Sequence, residues 1–458
     1  MRKIVVLFMI PVFSHFNSWA QTYQGKGNSK YEPPDSSTYH GVGWGEEAQI
    51  NYQNMFGDNC RPLLFQVMLA IPGNPQRPLT VERILNSIRA SHIDPDKQYA
   101  EISIHFMDTG GPTPIVLDTA FAYTSKYDHY IDTLAEALVQ HGRAVFIRPG
   151  LEANGGWNGY TPWAFPLAFR KLVNGLRVRG VSEFASIWCY EPDADPDFAD
   201  STEEGWKWYP GDDVVDWFGL DLFDADHFDP GMPDSAGNRL TKKGRSEAFI
   251  KFAKSRGKPI YLNELSARHV YITPDINDPD SSDGRHDWES WFEPFFEFLD
   301  MHPEIKAFNY IDLNWDEIKE YEDWGDARIE INTYIKNRWI KALSGDRFLH
   351  AGTDPLNPTL VLNDLKGHVG PDPEPIISAF PNPFNPSTIL RIKLEKHEIV
   401  KIEMIDILGR RVDILFSGFL CKGVHQFSWK PSGLAGGIYF ARVTLSHFFI
   451  VQKLVYFK

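Results

Sequence analysis

The sequence predicts an α/β protein: a (β/α)8 barrel over about residues 38–345, followed by an antiparallel β-sandwich over 376–458. Three observations carry this. Short apolar runs alternate with amphipathic helical patterns, which implies a parallel sheet. Eight such runs fall within roughly 300 residues, the count and size of a barrel. After Ile376 the pattern changes to short alternating runs separated by turn residues, the mark of a small sandwich.

The strands are read at Tyr39–Trp44, Leu63–Ala70, Ala100–Met107, Arg143–Arg148, Ala185–Tyr190, Val214–Phe223, Pro259–Leu265 and Ala307–Leu313. Helical periodicity is clear at Val81–Ala90, Tyr127–His141, Phe165–Arg179, Lys243–Arg256 and Trp288–Met301. An open doubly wound sheet is the competing arrangement. No glycine-rich GxGxxG turn follows a strand to support its nucleotide site. Five sandwich strands are read at Thr388–Leu394, Ile399–Ile407, His425–Trp429, Ile438–Leu445 and Phe449–Phe457.

Both ends of the barrel are punctuated. Arg2-Lys3, an apolar run from Ile4 to Phe13 and the small residues around Ala20 form a secretory signal peptide over 1–20, too short to span a bilayer. Residues 21–37 are a polar leader. Residues 346–375 are acidic and rich in proline, which favours extended chain and marks a linker. No other run is long and apolar enough to cross a membrane.

Composition narrows the chemistry. The formal net charge of −15 argues against nucleic acid as a partner and suits a neutral ligand. Of 14 Trp, several stand in glycine-rich or acidic contexts: Trp44, Trp157, Trp163, Trp206, Trp208, Trp315 and Trp324. Indole rings pack on the flat C–H faces of sugars, so such residues beside carboxylates suit a polysaccharide cleft. The three cysteines, Cys60, Cys189 and Cys421, are odd in number and have no metal-ligand spacing. Neither a disulfide framework nor a zinc site is expected from them. No cofactor is expected either.

The stretch Arg143–Trp157 carries the main functional signal. A buried strand ends on Arg148-Pro149-Gly150, and Glu152, Asn154 and Trp157 follow where barrel enzymes keep their chemistry. A second acid, Glu264, ends the seventh strand. Glycosidic hydrolysis needs two carboxyl groups flanking one oxygen, and only a barrel brings these two together. Asp221, near the end of the sixth strand, is a candidate to bind a hydroxyl or orient a neighbour. The Asp212-Asp213 pair is read as a turn former before it is read as a cation site.

These residues resemble glycoside hydrolase family 26, whose best-known members are β-mannanases, with relatives acting on mixed-linkage β-glucan and xylan. The matching pieces are Ile147-Arg148-Pro149, Glu152, Asn154-Gly155, Trp157, the Tyr209-Pro210-Gly211-Asp212 block, Val215-Asp216, Gly219-Leu220-Asp221 and Glu264. The resemblance implies a retaining enzyme with Glu152 as acid/base and Glu264 as nucleophile, and the chain is read as a secreted endo-acting β-glycanase. The resemblance also implies sugar platforms from Trp157 and Trp315; Arg148, Asn154 and Asp221 are further candidates for substrate contact, and the chemistry calls for no metal. The chain departs from the family at Leu151, where a histidine is usual, and at Phe223, where a tyrosine is usual. These departures keep open a second reading, a glycan-binding surface protein without catalysis.

The sandwich resembles a type IX secretion sorting domain. The carriers are Phe380-Pro381-Asn382-Pro383-Phe384-Asn385-Pro386, Ile407-Leu408-Gly409-Arg410 and Gly436-Gly437-Ile438-Tyr439. This resemblance implies export by the type IX machinery, as a partner, to the cell surface or beyond.

Overall fold

The computed structural model describes residues 29–34, 37–56, 60–90, 97–194, 207–228, 241–274, 282–351, 376–395, 398–445 and 449–458. The expected signal peptide, residues 352–375 of the expected linker and Trp206 lie outside them.

Eight parallel strands form the barrel: β1 (Thr38–Val42), β2 (Leu64–Gly73), β3 (Tyr99–Asp108), β4 (Val145–Pro149), β5 (Phe184–Tyr190), β6 (Trp217–Leu222), β7 (Ile260–Leu265) and β8 (Ile305–Tyr310). Each pairs with the next, and β1 closes on β8 through Tyr39–Ala307 to Val42–Tyr310. The sixth strand starts later than the sequence suggests. Val214 and Val215 belong to the turn that opens at Gly211, because both amides are tied to the Gly211 carbonyl.

Strand alternation divides the barrel into two layers. On β4, Val145 and Ile147 face the helices, where they join one large core. Phe146 faces inward and joins Tyr39, Trp217 and Tyr261 in a plug of aromatic rings at the barrel floor. Its ring meets Trp217 at 5.3 Å and Tyr261 at 5.6 Å, both edge to face. Two residues on from Phe146 the same inward face carries Arg148. The floor is therefore apolar and the level above it is charged.

Outside the barrel, α1 (Glu46–Asn54), α2 (Val81–Ala90), α3 (Asp128–His141), α4 (Phe165–Val178), α5 (Lys242–Ser255), α6 (Glu293–Met301) and α7 (Thr333–Leu343) follow their strands. The helix expected over Trp288–Met301 begins with a π-helical turn, Trp288–Phe292, before α6. Thr241 caps α5 by accepting the Gly244 amide, an arrangement worth about 1 kcal/mol. Among the described residues no helix is long and apolar enough to cross a membrane.

The C-terminal sandwich has seven described strands, two more than expected: β9 (Ile376–Phe380), β10 (Thr388–Leu394), β11 (Glu398–Asp406), β12 (Arg411–Leu420), β13 (Gly423–Trp429), β14 (Gly437–Thr444) and β15 (Phe449–Tyr456). They form sheets in the orders β9–β10–β13 and β12–β11–β14–β15. On β10, residues alternate strictly between buried and exposed.

The cysteines correct the sequence expectation. Cys60 of the barrel and Cys421 of the sandwich form a disulfide, with Cα atoms 5.5 Å apart and a sequence separation of 361. Both are buried, and both belong to the barrel's apolar core. Cys60 lies beside the point where the barrel chain ends, since the Ala351 amide donates to the Arg61 carbonyl. Cys189 remains a free, buried thiol.

Candidate active site

The C-terminal ends of the strands open on a cavity of about 760 Å³. Among its lining residues are Trp44 after β1, His105 on β3, Glu152, Trp157 and Asn158 after β4, Glu191 and Asp193 after β5, and Phe223 after β6. Glu264 and Arg268 come from the β7 end, and Trp315, Tyr321 and Trp324 from beyond β8. Glu152 and Glu264, the two acids expected from the sequence, thus reach the same space.

Each arrives by a local irregularity. Gly150 has φ +71°, and a Cβ there would lie 2.3 Å from the Phe165 ring, so the chain leaves β4 in a turn only glycine fits. Glu152 itself has φ +40°, a costly conformation for a side chain with a Cβ and one found at functional sites. On β7 the register slips between Leu262 and Leu265, both of which pack toward the helices. This bulge re-aims Glu264, which strict alternation would have turned away from the cavity.

Under the cavity floor lies a buried polar network centred on Arg148, which has no exposed surface. Its guanidinium donates to Glu264 Oε1, to Asp221 Oδ2 at 2.9 Å and to Ser103 Oγ at 2.8 Å. Asp221 also accepts the Glu264 amide at 2.9 Å and the Cys189 thiol at 3.2 Å. Ser103 donates to Glu101 at 2.8 Å. Burial pushes Glu101 up to about 7, against the pull of Arg148. One cation therefore serves three acids, with Glu264 the member that reaches the cavity.

Glu152 is tuned differently. Burial foremost, then the charge of Glu264, pushes its carboxyl up to about 7. The Trp157 Nε1–H donates to Glu152 Oε2 and opposes that rise. One oxygen from each of Glu152, Asp221 and Glu264 lies within 4.8 Å of the others. The guanidinium of Arg148 already occupies two of these acids, so the trio is a charge network rather than an open cation site.

The residues expected to touch substrate divide into two groups. Trp157 is 61% exposed and lines the cavity; Trp315 lines it too, although it is nearly buried, with its indole N–H on Ser266 Oγ at 2.8 Å. Arg148 and Asp221 are wholly buried beneath the cavity and are not among its lining residues. Asn154 is buried as well. Its amide accepts the Glu191 N–H at 3.0 Å and donates to the Glu191 carbonyl at 2.8 Å, clasping the Glu152 loop to the end of β5. These three are placed to position other groups, because their polar atoms are already engaged by protein.

Leu151 and Phe223, the two departures, both line the cavity as apolar surface. Asp212 and Asp213 are exposed and paired with Arg256 and Arg170, which favours the turn reading. Sequence reasoning missed Glu191, Arg268 and Tyr321. Glu191 had a legible signal: like Glu264, it is an acid at the end of an apolar run.

Residues 90–287 match the model of glycosyl hydrolase family 26, and residues 378–456 match that of the secretion system C-terminal sorting domain. The β-1,3-xylanase TXYA of a Vibrio species is 30% identical over 243 residues, covering 49% of this chain and 48% of the relative. A β-1,3-xylanase of an Alcaligenes species is 29% identical over 248 residues, covering 50% of this chain and 49% of the relative. The chain thus spans about half the length of these relatives. An endo-β-1,4-mannanase double mutant of Cellulomonas fimi is a structural neighbour with a TM-score of 0.47 and 17% identity, covering 92% of this chain and 94% of that one. The chain carries a glycosyl hydrolase family 26 domain followed by a secretion system C-terminal sorting domain.

Proposed function

We propose that the protein is a secreted, retaining glycoside hydrolase that cleaves a β-linked polysaccharide internally. The observation that carries the retaining reading is the approach of the two acids, one oxygen of each lying within 4.8 Å of the other. Retaining enzymes hold their carboxyl groups about 5–5.5 Å apart, whereas inverting ones leave about 6.5–9.5 Å for a water.

Glu152, protonated below its raised pKa of about 7, gives its proton to the glycosidic oxygen. The Glu264 carboxylate, oriented by Arg148, attacks the anomeric carbon as the bond to the leaving sugar breaks. An ester between the sugar and Glu264 results. Glu152, now ionised, takes a proton from water; the water oxygen attacks the anomeric carbon and Glu264 leaves as carboxylate. Trp157 and Trp315 offer faces for the sugar rings, and Arg148, Asp221 and Asn154 act from beneath. No step requires a metal or an organic cofactor.

The names of the relatives support trying β-1,3-xylan first, ahead of β-mannan, mixed-linkage β-glucan and β-1,4-xylan. The sorting domain supports export by the type IX machinery, with the N-terminal signal taking the chain into the periplasm first. The test is incubation of the purified chain with these four polysaccharides, identifying the products and the anomer first released. Release of oligosaccharides with retained configuration is expected, and Glu264→Ala should abolish it. Full activity in Glu264→Ala, or first release of the inverted anomer, would sink the mechanism. Binding without turnover would establish the alternative, a glycan-binding protein.

A further inference from the structure

The cavity has two unlike sides. Trp44, Trp315, Tyr321 and Trp324 crowd the ends of β8 and β1. Glu191, Asp193 and Arg268 stand around the ends of β5 and β7 with no part in the two-step chemistry. We propose that Glu191 reads a hydroxyl of the leaving sugar and so helps set specificity on that side of the scissile bond. This rests on the hydrolase reading above.

Position comes first. Glu191 directly follows β5, next to β4 in the barrel, and Asn154 clasps its backbone to the loop bearing Glu152. Glu152 is the group that protonates the leaving oxygen, so its immediate neighbour faces the leaving sugar.

Unfilled bonding capacity comes second. Glu191 is only 2% exposed. Its Oε2 accepts the Asp193 amide at 2.6 Å, while Oε1 is buried with no hydrogen-bond partner. A buried carboxyl oxygen left unpaired is costly, and a site built to receive a hydroxyl shows such a vacancy before substrate arrives.

Support from behind comes third. Asp193 holds Glu191 through that amide and is itself fixed by Lys242 at 2.7 Å and His227 at 3.3 Å. Burial would raise the Asp193 pKa, but bonds from His227 and Lys242 hold it below the usual carboxylate range. Burial, Asp193 and Glu152 push Glu191 the other way, upward. A neutral carboxylic acid can both donate to and accept from a sugar hydroxyl.

A metal is the rival occupant, because Glu191, Asp193 and His227 bring one ligand atom each within 4.8 Å. The histidine argues against it. Its Nδ1 accepts the Phe223 amide at 2.9 Å, so Nε2 carries the proton and donates to Asp193. With Lys242 and Arg268 beside Asp193, the positive charge is already supplied.

The test compares two substrates sharing the sugar that the polysaccharide panel identifies: an oligosaccharide, whose leaving group is a sugar, and its aryl glycoside, whose leaving group is not. Glu191→Ala and the milder Glu191→Asp withdraw the oxygen. Each should lower kcat/KM on the oligosaccharide roughly tenfold, one hydrogen bond's worth, and leave the aryl glycoside within about twofold. Glu191→Gln, which keeps polar atoms at both positions, should recover most of the loss. Equal loss on both substrates would mean that Glu191 only braces the Glu152 loop, and loss on neither would mean that it touches nothing; either overturns the proposal. A wild-type chain that cleaves no glycan would instead overturn the hydrolase reading beneath it.

Discussion

Trp157→Phe isolates one hydrogen bond at Glu152, the proposed acid/base. The phenyl ring keeps an aromatic face for sugar but lacks the N–H that donates to Glu152 Oε2. That bond favours the ionised carboxylate, so losing it must raise the Glu152 pKa from about 7. A hydrogen bond to a charged group contributes about 1.5–3 kcal/mol. Trp157 is 61% exposed, and solvent competes for both partners, which reduces the effect to roughly 1 kcal/mol. At about 1.4 kcal/mol per pH unit, the shift is roughly 0.7 unit. The donor Asn158 stays, at 3.4 Å, too long to compensate. The assay is kcat/KM against pH on a neutral polysaccharide. The basic limb, where Glu152 loses its proton, should move up to roughly pH 7.7. A limb that stays in place or moves down in an active Trp157→Phe enzyme would refute the assignment of Glu152 as the acid.

Three further outcomes follow from the geometry. Arg148→Lys retains the charge but cannot reach Glu264, Asp221 and Ser103 together, so kcat should fall about a hundredfold or more in steady-state kinetics. His40 is fully buried, and burial foremost, then His350, lowers its pKa well below the ordinary value. The unfolded chain therefore gains a proton below about pH 6.5 that the folded one refuses, and stability should fall by about 1.4 kcal/mol per pH unit on acidification. Denaturant midpoints at pH 5 and 7, for wild type and His40→Gln, check this: the variant should lose that part of the slope. Cys60→Ser should cost about 2–4 kcal/mol of stability. With a protease site engineered into residues 352–375, the cut wild type should run as one species on a non-reducing gel and the cut variant as two.

The acid slope has a structural reason that no local pattern in the sequence contains. His350 donates from Nε2 to the Leu343 carbonyl, so its Nδ1 must accept; His40 then donates from Nδ1 at 3.0 Å. His40 Nε2 accepts from the Tyr52 hydroxyl at 2.8 Å, and Tyr52 accepts from the Trp339 indole N–H. Every proton in this chain has one place, and there is no room for another. The four residues come from β1, α1, α7 and the barrel's end, so only closure of the fold assembles them.

The parts legible in the sequence are those that a strand's own pattern determines. An apolar run fixes which residues face the helices, and an acid just past it must lie at the barrel mouth; Glu152 is found that way, whereas Glu264 is legible as an acid at a strand end but reaches the cavity only through the β7 bulge. The same logic applied to Ala185–Tyr190 points to Glu191, which was legible and overlooked. What alternation cannot supply is depth. Arg148 and Asp221 sit at strand ends as expected, yet one further turn of the pleat decides whether a side chain lies in the cavity or beneath it. The plug of Phe146, Trp217 and Tyr261 sets that level. Depth depends on the sizes of side chains from several strands at once. Pairings between domains are further removed still. Cys60 and Cys421 lie in separately patterned segments, and an odd cysteine count hides a single bridge among three thiols. The bridge becomes visible only when the sandwich rests its Cys421 in the barrel's own core.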